Sequence, residues 1–282
     1  MHNLQLYGRG GSHTSPHTLR GYRTGLRFFL AFAFAKGAGA LLETDTDLTV
    51  GYLRSLERQG LTPGTINSRR SSARALFRAL RWAGVTTADP IADTPRAQDH
   101  EERWSKREAY TREDIEALLG VADPAEQLLI LLGAHAGLRM SELIGLEWRM
   151  VNLDLRTMTV TGKGRKTATI HLSAGLFAAL SRVTPGERTG PVIPWRNAKT
   201  VRLVLRSLCL MAGVSYEKRQ VHGLRHSCAT LLLEDTRDLY LVARHMRHSS
   251  VSTTEVYAKV RSERLTEALR TWGEPAPERV TN

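Results

Sequence analysis

Apolar residues recur at helical spacing along most of this chain and at strand spacing over one short stretch. From Ser15, with Pro16 at the first helical position, Leu19, Tyr22, Leu26, Phe29, Leu30 and Ala33 recur at helical spacing. That spacing predicts a helix closed by Gly37 and Gly39. A second helix is predicted from about Asp47 to Gln59, stopped by Gly60. A third opens at Thr62 and Pro63 and runs to Gly84, with Ile66, Ala73, Phe77 and Leu80 on one side. Residues 1–14 have no periodicity and read as a flexible tail.

Helical pattern resumes at Thr111, with Asp114 three residues on, the spacing of a capping box. Asp123–Pro124 opens another helix, apolar through Leu132. The period then changes. Residues 157–172, TMTVTGKGRKTATIHL, alternate and predict two short strands around a glycine-flanked tip at Gly162–Lys166. Helical segments follow near 174–183, 198–212, 223–234, 238–246 and 261–272. Residues 94–110 are charged, lack a stripe and follow Asp89–Pro90, so they read as a linker. The expected layout is a tail (1–14), a helical domain (15–93), the linker (94–110) and a larger domain (111–282). The fold class is mainly α with a small antiparallel β-sheet.

Charge narrows the partners. The chain has 282 residues and a formal net charge of +12, which points to a polyanion, either nucleic acid or an anionic membrane surface. Its longest apolar runs, Phe28–Ala35 and Leu128–Leu132, fall far short of the roughly 20 residues of a spanning helix. The start MHNLQLYGRG has no apolar core of a secretory signal. Cys209 and Cys228 sit in apolar segments and read as buried reduced thiols of a cytosolic protein. The positive charge is denser towards the N-terminus: residues 1–95 hold 12 Lys and Arg against 6 Asp and Glu, the other 187 residues 28 against 22. On the third helix Arg70, Arg74, Arg78 and Arg81 form a stripe with no acidic neighbour. An isolated charge run is usually a solvated face. In a chain this basic, the stripe is expected to contact phosphates.

Four places in the larger domain concentrate reactive side chains: residues 136–143, the tip 162–166, residues 222–226, and His245-Met246-Arg247-His248 followed by Tyr257. Positions i, i+3 and i+4 share a helix face, so His222, Arg225 and His226 come together. A metal site is one reading of the His222/His226 and His245/His248 spacings. Against it, no acidic residue lies between His222 and His226, and Arg225 would repel a cation. A phosphate site is the other reading, because guanidinium binds phosphate oxygens through a planar fork.

Together these places resemble the tyrosine recombinases, or phage-integrase family. AGLRMSELIGLEW is similar to the family's first arginine box, HGLRHSCATLLLE to its H-x-x-R-H box, and HMRHSSVSTTEVYA to its terminal box. GKGRK falls between the first two, and the resemblance covers about residues 15–272. It implies a two-domain architecture, a helical SAM-like core-binding domain plus an α+β catalytic domain, and a site-specific DNA strand transferase. By resemblance, Arg139, Lys163, His222, Arg225, His248 and Tyr257 are catalytic. Arg139 and Arg225 would clamp the non-bridging oxygens and His248 would add a donor. His222 would donate or take the phenol proton, and Tyr257 would attack. Lys163 would protonate the leaving 5′ oxygen, with Arg165 and Lys166 as alternative donors and further DNA contacts. Glu142 would orient the site.

The resemblance further implies a 3′-phosphotyrosine, a Holliday junction, and no metal or other cofactor. Its partners would be double-stranded DNA with paired recombination sites and a homotetramer on that DNA, with room for a related recombinase. No membrane partner is expected, and the place of action is the cytoplasm, at the nucleoid. A catalytically inactive DNA-binding protein and a type IB topoisomerase-like relaxing enzyme are the alternatives. Leu265, Ala268, Leu269 and Trp272 give the last helix an apolar stripe that needs a partner, in cis or in trans. Three departures stand out. Arg247 stands where the family often has glycine, Ala168 and His171 where it often has arginine and proline, and Arg149–Met150 where an acidic residue often follows Trp148.

Overall fold

The structure is a computed structural model and describes residues 16–37, 46–99, 108–162, 167–217 and 219–247. The chain divides into two units, Met1–His100 and Glu101–Asn282. The expected tail, the hairpin tip 163–166, His248, Tyr257 and the helix near 261–272 lie outside the described residues.

In the first unit, α1 (Pro16–Ala35), α2 (Thr46–Arg58) and α3 (Pro63–Trp82) surround a small aromatic core. Thr62 caps α3 by accepting from the Thr65 backbone N–H, and Pro63 occupies the first turn, where its missing donor costs nothing. Phe29 meets Tyr52 and Phe77 edge to face, with ring centroids 5.1 and 5.9 Å apart. Gly25 lets α1 approach α3: a Cβ there would lie 2.3 Å from Ser72 Oγ.

A strap from residue 88 to 97 is fastened along α3, and it corrects the arginine stripe. Arg70 is 6% exposed. Its Nε donates to Thr94 Oγ1 at 3.0 Å, and its Nη2 donates to the Ile91 carbonyl at 3.1 Å and to the Thr94 carbonyl. Its donors thus fasten the strap and do not face outward with those of Arg74 and Arg78. Arg81 donates to Ala88 O at 2.9 Å and pairs with Asp89 at 2.7 Å. The reason is helical drift: each four-residue step advances about 40° beyond a full turn. Positions 70 and 81 therefore fall beside the strap, while Arg74 and Arg78 rotate outward and are exposed. The strap also holds residues assigned above to the linker, since Asn67 exchanges two hydrogen bonds with the Ala97 backbone, at 2.9 and 3.0 Å.

In the second unit, α4 (Arg112–Val121) and α5 (Pro124–Ala134) both open with capping boxes, Thr111/Asp114 and Asp123/Glu126. From Leu128 to Ala134 every residue of α5 is buried, so this helix is the centre of the core. A three-stranded antiparallel sheet, β1 (Val151–Asn152), β2 (Thr157–Thr161) and β3 (Thr167–His171), has the order β1-β2-β3. Met158 faces Ile170 across the second pairing and both are buried. Among the described residues five more helices follow: α6 (Met140–Gly145), α7 (Ala174–Ser181), α8 (Ala198–Met211), α9 (Gln220–Thr236) and α10 (Leu239–His245). α9 starts three residues before the expected 223. α9 packs on α5 at Gly133, where a Cβ would come within 2.7 Å of Leu224 Cβ. Tyr110, at the end of the expected linker, is buried here and its backbone N–H donates to Ser227 Oγ at 2.8 Å. No helix among the described residues is long and apolar enough to cross a membrane.

Candidate active site

The site is built on the turn after α5. Gly137 adopts φ +58°, which glycine reaches without crowding, and a Cβ there would meet Met246 Sδ at 2.7 Å. The turn delivers Arg139 to the N-terminal cap position of α6, and Glu142, at the third helical position, reaches back to the Arg139 backbone N–H at 2.8 Å. Glu142 Oε1 also accepts from Arg139 Nη1 at 3.0 Å. The Glu142 side chain is 1% exposed, that of Arg139 41%.

From α9, Arg225 reaches the same turn. It is 3% exposed; Nη1 donates to the Gly137 carbonyl and Nη2 to the Met246 carbonyl, the latter at 2.6 Å. Arg247 closes the group. Its Nη2 donates to Gly137 O at 3.0 Å and to Glu142 Oε2 at 2.9 Å. Among the described residues, three guanidiniums thus gather around one buried carboxylate and one carbonyl, beside a partly open Arg139. Burial lowers the Arg247 pKa, opposed by Glu142.

His222 and His226 meet edge to face on α9, ring centroids 4.9 Å apart, with His222 exposed. Among the described residues no group of three or more His, Cys, Asp or Glu could hold a metal ion. His245 is not aimed outward as a ligand: its Nε2 donates to the His135 carbonyl at 2.9 Å, and His135 Nδ1 lies 2.8 Å from Ser173 Oγ. Burial lowers the pKa of both rings. Cys228 lies among these groups, its thiol pushed up to about 12 by burial, so it is an inert protonated filler.

The structure therefore brings together Arg139, Glu142 and Arg225. Lys163, Arg165, Lys166, His248 and Tyr257 lie outside the described residues. Sequence reasoning missed the contribution of Arg247, although its departure from glycine marked the position, and gave no sign of the His135–Ser173–His245 support.

Known proteins share the sequence pattern and fold of this chain. The family model described as phage integrase family matches residues 108–264, and that of the phage integrase N-terminal SAM-like domain matches residues 11–84. Tyrosine recombinase XerC of Xanthomonas campestris pv. campestris (strain B100) is 30% identical over 260 residues, covering 86% of this chain and 78% of the relative. Tyrosine recombinase XerD of Rhizobium meliloti (strain 1021) is 28% identical over 277 residues, covering 89% and 87%. The fold is shared with the XerH site-specific recombinase bound to palindromic difH substrate in a post-cleavage complex, at TM-score 0.68 and 21% identity over 91% of this chain and 80% of that one. It is shared also with a lambda integrase dimer bound to a COC' core site, at TM-score 0.69 and 17% identity over 94% and 76%. The chain belongs to the phage integrase family and is a tyrosine-type site-specific recombinase.

Proposed function

We propose that this recombinase attacks a scissile phosphate of duplex DNA with the Tyr257 phenol. The phenol oxygen bonds to phosphorus, its proton passes to His222 or water, and the bond to the 5′ oxygen breaks. Lys163 gives that oxygen its proton, with Arg165 and Lys166 as the other donors of the same tip. The 3′-phosphotyrosine retains the energy of the broken bond, so rejoining needs no nucleotide. Arg139 and Arg225 take the charge that builds on the non-bridging oxygens, because a guanidinium stays ionised and offers a fork of donors. Arg225 reaches an oxygen when the Met246 carbonyl yields its place. His248 donates beside them.

The observation that carries this reading is the meeting of Arg139 and Arg225 at one turn from distant parts of the chain, with Glu142 holding the first. Exposed Arg74 and Arg78 add phosphate contacts in the first unit. Four copies pairing two sites, with strand exchange through a Holliday junction and a related recombinase as an optional partner, complete the proposal. It acts in the cytoplasm on the nucleoid.

The test uses a duplex that the protein retains from a random pool, nicked so that cleavage is trapped. Wild type gives a covalent adduct on a denaturing gel and Tyr257→Phe gives none. An adduct that survives Tyr257→Phe overturns the assignment. Relaxation of a supercoiled plasmid without exchange between two sites overturns recombination in favour of a relaxing enzyme.

A further inference from the structure

Arg247 has φ +54°. In that left-handed conformation Cβ crowds the following carbonyl, and glycine is the residue that avoids the strain. This chain carries arginine there and uses both terminal nitrogens of its side chain, while Nε is buried without a hydrogen-bond partner. Arg247 is 11% exposed. Its Nη1 donates to Ala136 O and His245 O, both at 3.3 Å, and its Nη2 to Gly137 O at 3.0 Å and Glu142 Oε2 at 2.9 Å. With these oxygens satisfied and so little surface, it does not itself face a substrate.

The effect falls on Glu142. Arginine and carboxylate left to themselves favour a bidentate pair with two parallel N–H···O bonds. Here Oε1 takes Arg139 Nη1, whereas Oε2 is occupied by Arg247 Nη2 and the Arg139 backbone N–H. Arg139 is therefore held by one oxygen, and its side chain remains 41% exposed with donors to spare.

We propose that Arg247 is a positioning residue: by filling Glu142 Oε2 it keeps Arg139 in a single-oxygen pair, its outer edge turned to the scissile phosphate. The same bonds tie the turn that precedes His248 to the turn that precedes Arg139. This role rests on the strand-transfer reading above.

Arg247→Gly suits the backbone, and Arg247→Lys keeps a cation in the same place should the glycine variant melt. Both are compared with wild type on the nicked duplex, reading melting temperature, DNA affinity by anisotropy and the single-turnover rate of adduct formation. Arg247→Gly slows adduct formation about ten- to a hundredfold, the scale of a misplaced reacting group, while affinity stays within about twofold because backbone contacts elsewhere dominate it. Arg247→Lys restores part of the rate. In a Glu142→Gln background, Arg247→Gly adds little further loss, since the two act as one unit. Wild-type rate in Arg247→Gly, or an undiminished loss in the Gln background, overturns the inference alone. A wild type that forms no adduct overturns the strand-transfer reading and this inference with it.

Discussion

Arg70 and Arg225 use the same device in two units. Each lies on a long helix, nearly out of solvent, and each donates Nη2 to a backbone carbonyl 21 positions further on, Ile91 and Met246 respectively. Their surroundings differ. Arg70 ends in a strap, with the Thr94 hydroxyl and carbonyl as its other partners. Arg225 ends at the Gly137 carbonyl, which it shares with Arg247, and beyond that turn stands the half-open Arg139. Burial and captured carbonyls therefore do not separate a fastening from a phosphate ligand. What separates them is the setting of those carbonyls: a strap along the helix for Arg70, and for Arg225 a turn that also holds Arg139, Glu142 and Arg247.

The largest expected effect breaks the pair apart directly. Arg225→Lys removes the planar fork at a site that stabilises developing charge, and adduct formation falls by about a hundred- to a thousandfold. Arg70→Lys leaves the rate within about threefold at a temperature where the protein is folded, because positioning elsewhere is intact. Arg70→Ala shows its cost in stability instead: it strands the Ile91 and Thr94 carbonyls and lowers the stability of the first unit by about 2–4 kcal/mol. Urea unfolding measures that loss. A strong rate effect for Arg70→Lys, with no stability change in Arg70→Ala, would make Arg70 a phosphate ligand after all.

A smaller effect sharpens the same contrast within α3. Arg74→Ala and Arg78→Ala each reduce the slope of log affinity against log salt by about one unit, the signature of one lost phosphate contact. Arg70→Ala, compared at a temperature where it is folded, leaves the slope unchanged. Equal slopes for all variants would remove α3 from the DNA interface.

The contrast between residues 70 and 74 also marks the limit of reading by pattern. The helix caps were open to inspection in the sequence, since Thr62–Pro63, Thr111/Asp114 and Asp123/Glu126 are local signals. The six-residue α6 and two-residue β1 were not, because they are shorter than a period can reveal. A four-residue spacing put Arg70 and Arg74 on one stripe, and only the strap, folded back from residues 88–97, decides which of them faces water. At the site, the boxes named Arg139, Glu142 and Arg225. The left-handed backbone of Arg247 and its grip on Glu142 depend on two turns meeting, which no local window contains.

The smallest expected effect concerns acid, and it again divides the units. The fastening in the first unit is a guanidinium, which stays charged throughout the range in which proteins are handled even though burial lowers its pKa. The support of the second unit includes His135 and His245, whose pKa values burial depresses below the ordinary histidine value. Between the depressed folded values and about 6.5 the unfolded chain binds more protons than the folded one, so stability rises with pH across that window. It is fully present above about pH 6.5 and is lost as pH falls towards the folded values. Burial gives the loss its direction, and a protonated His135 would also face Arg112 and a protonated His245 would face Arg247 and Arg225. Hydrogen exchange resolves the two units: the second loses protection on acidification while the strap of the first does not. His245→Gln keeps a donor for the His135 carbonyl but cannot titrate, so it flattens the acid slope of the second unit. An unchanged slope in that variant would mean that His245 is not among the groups that set it.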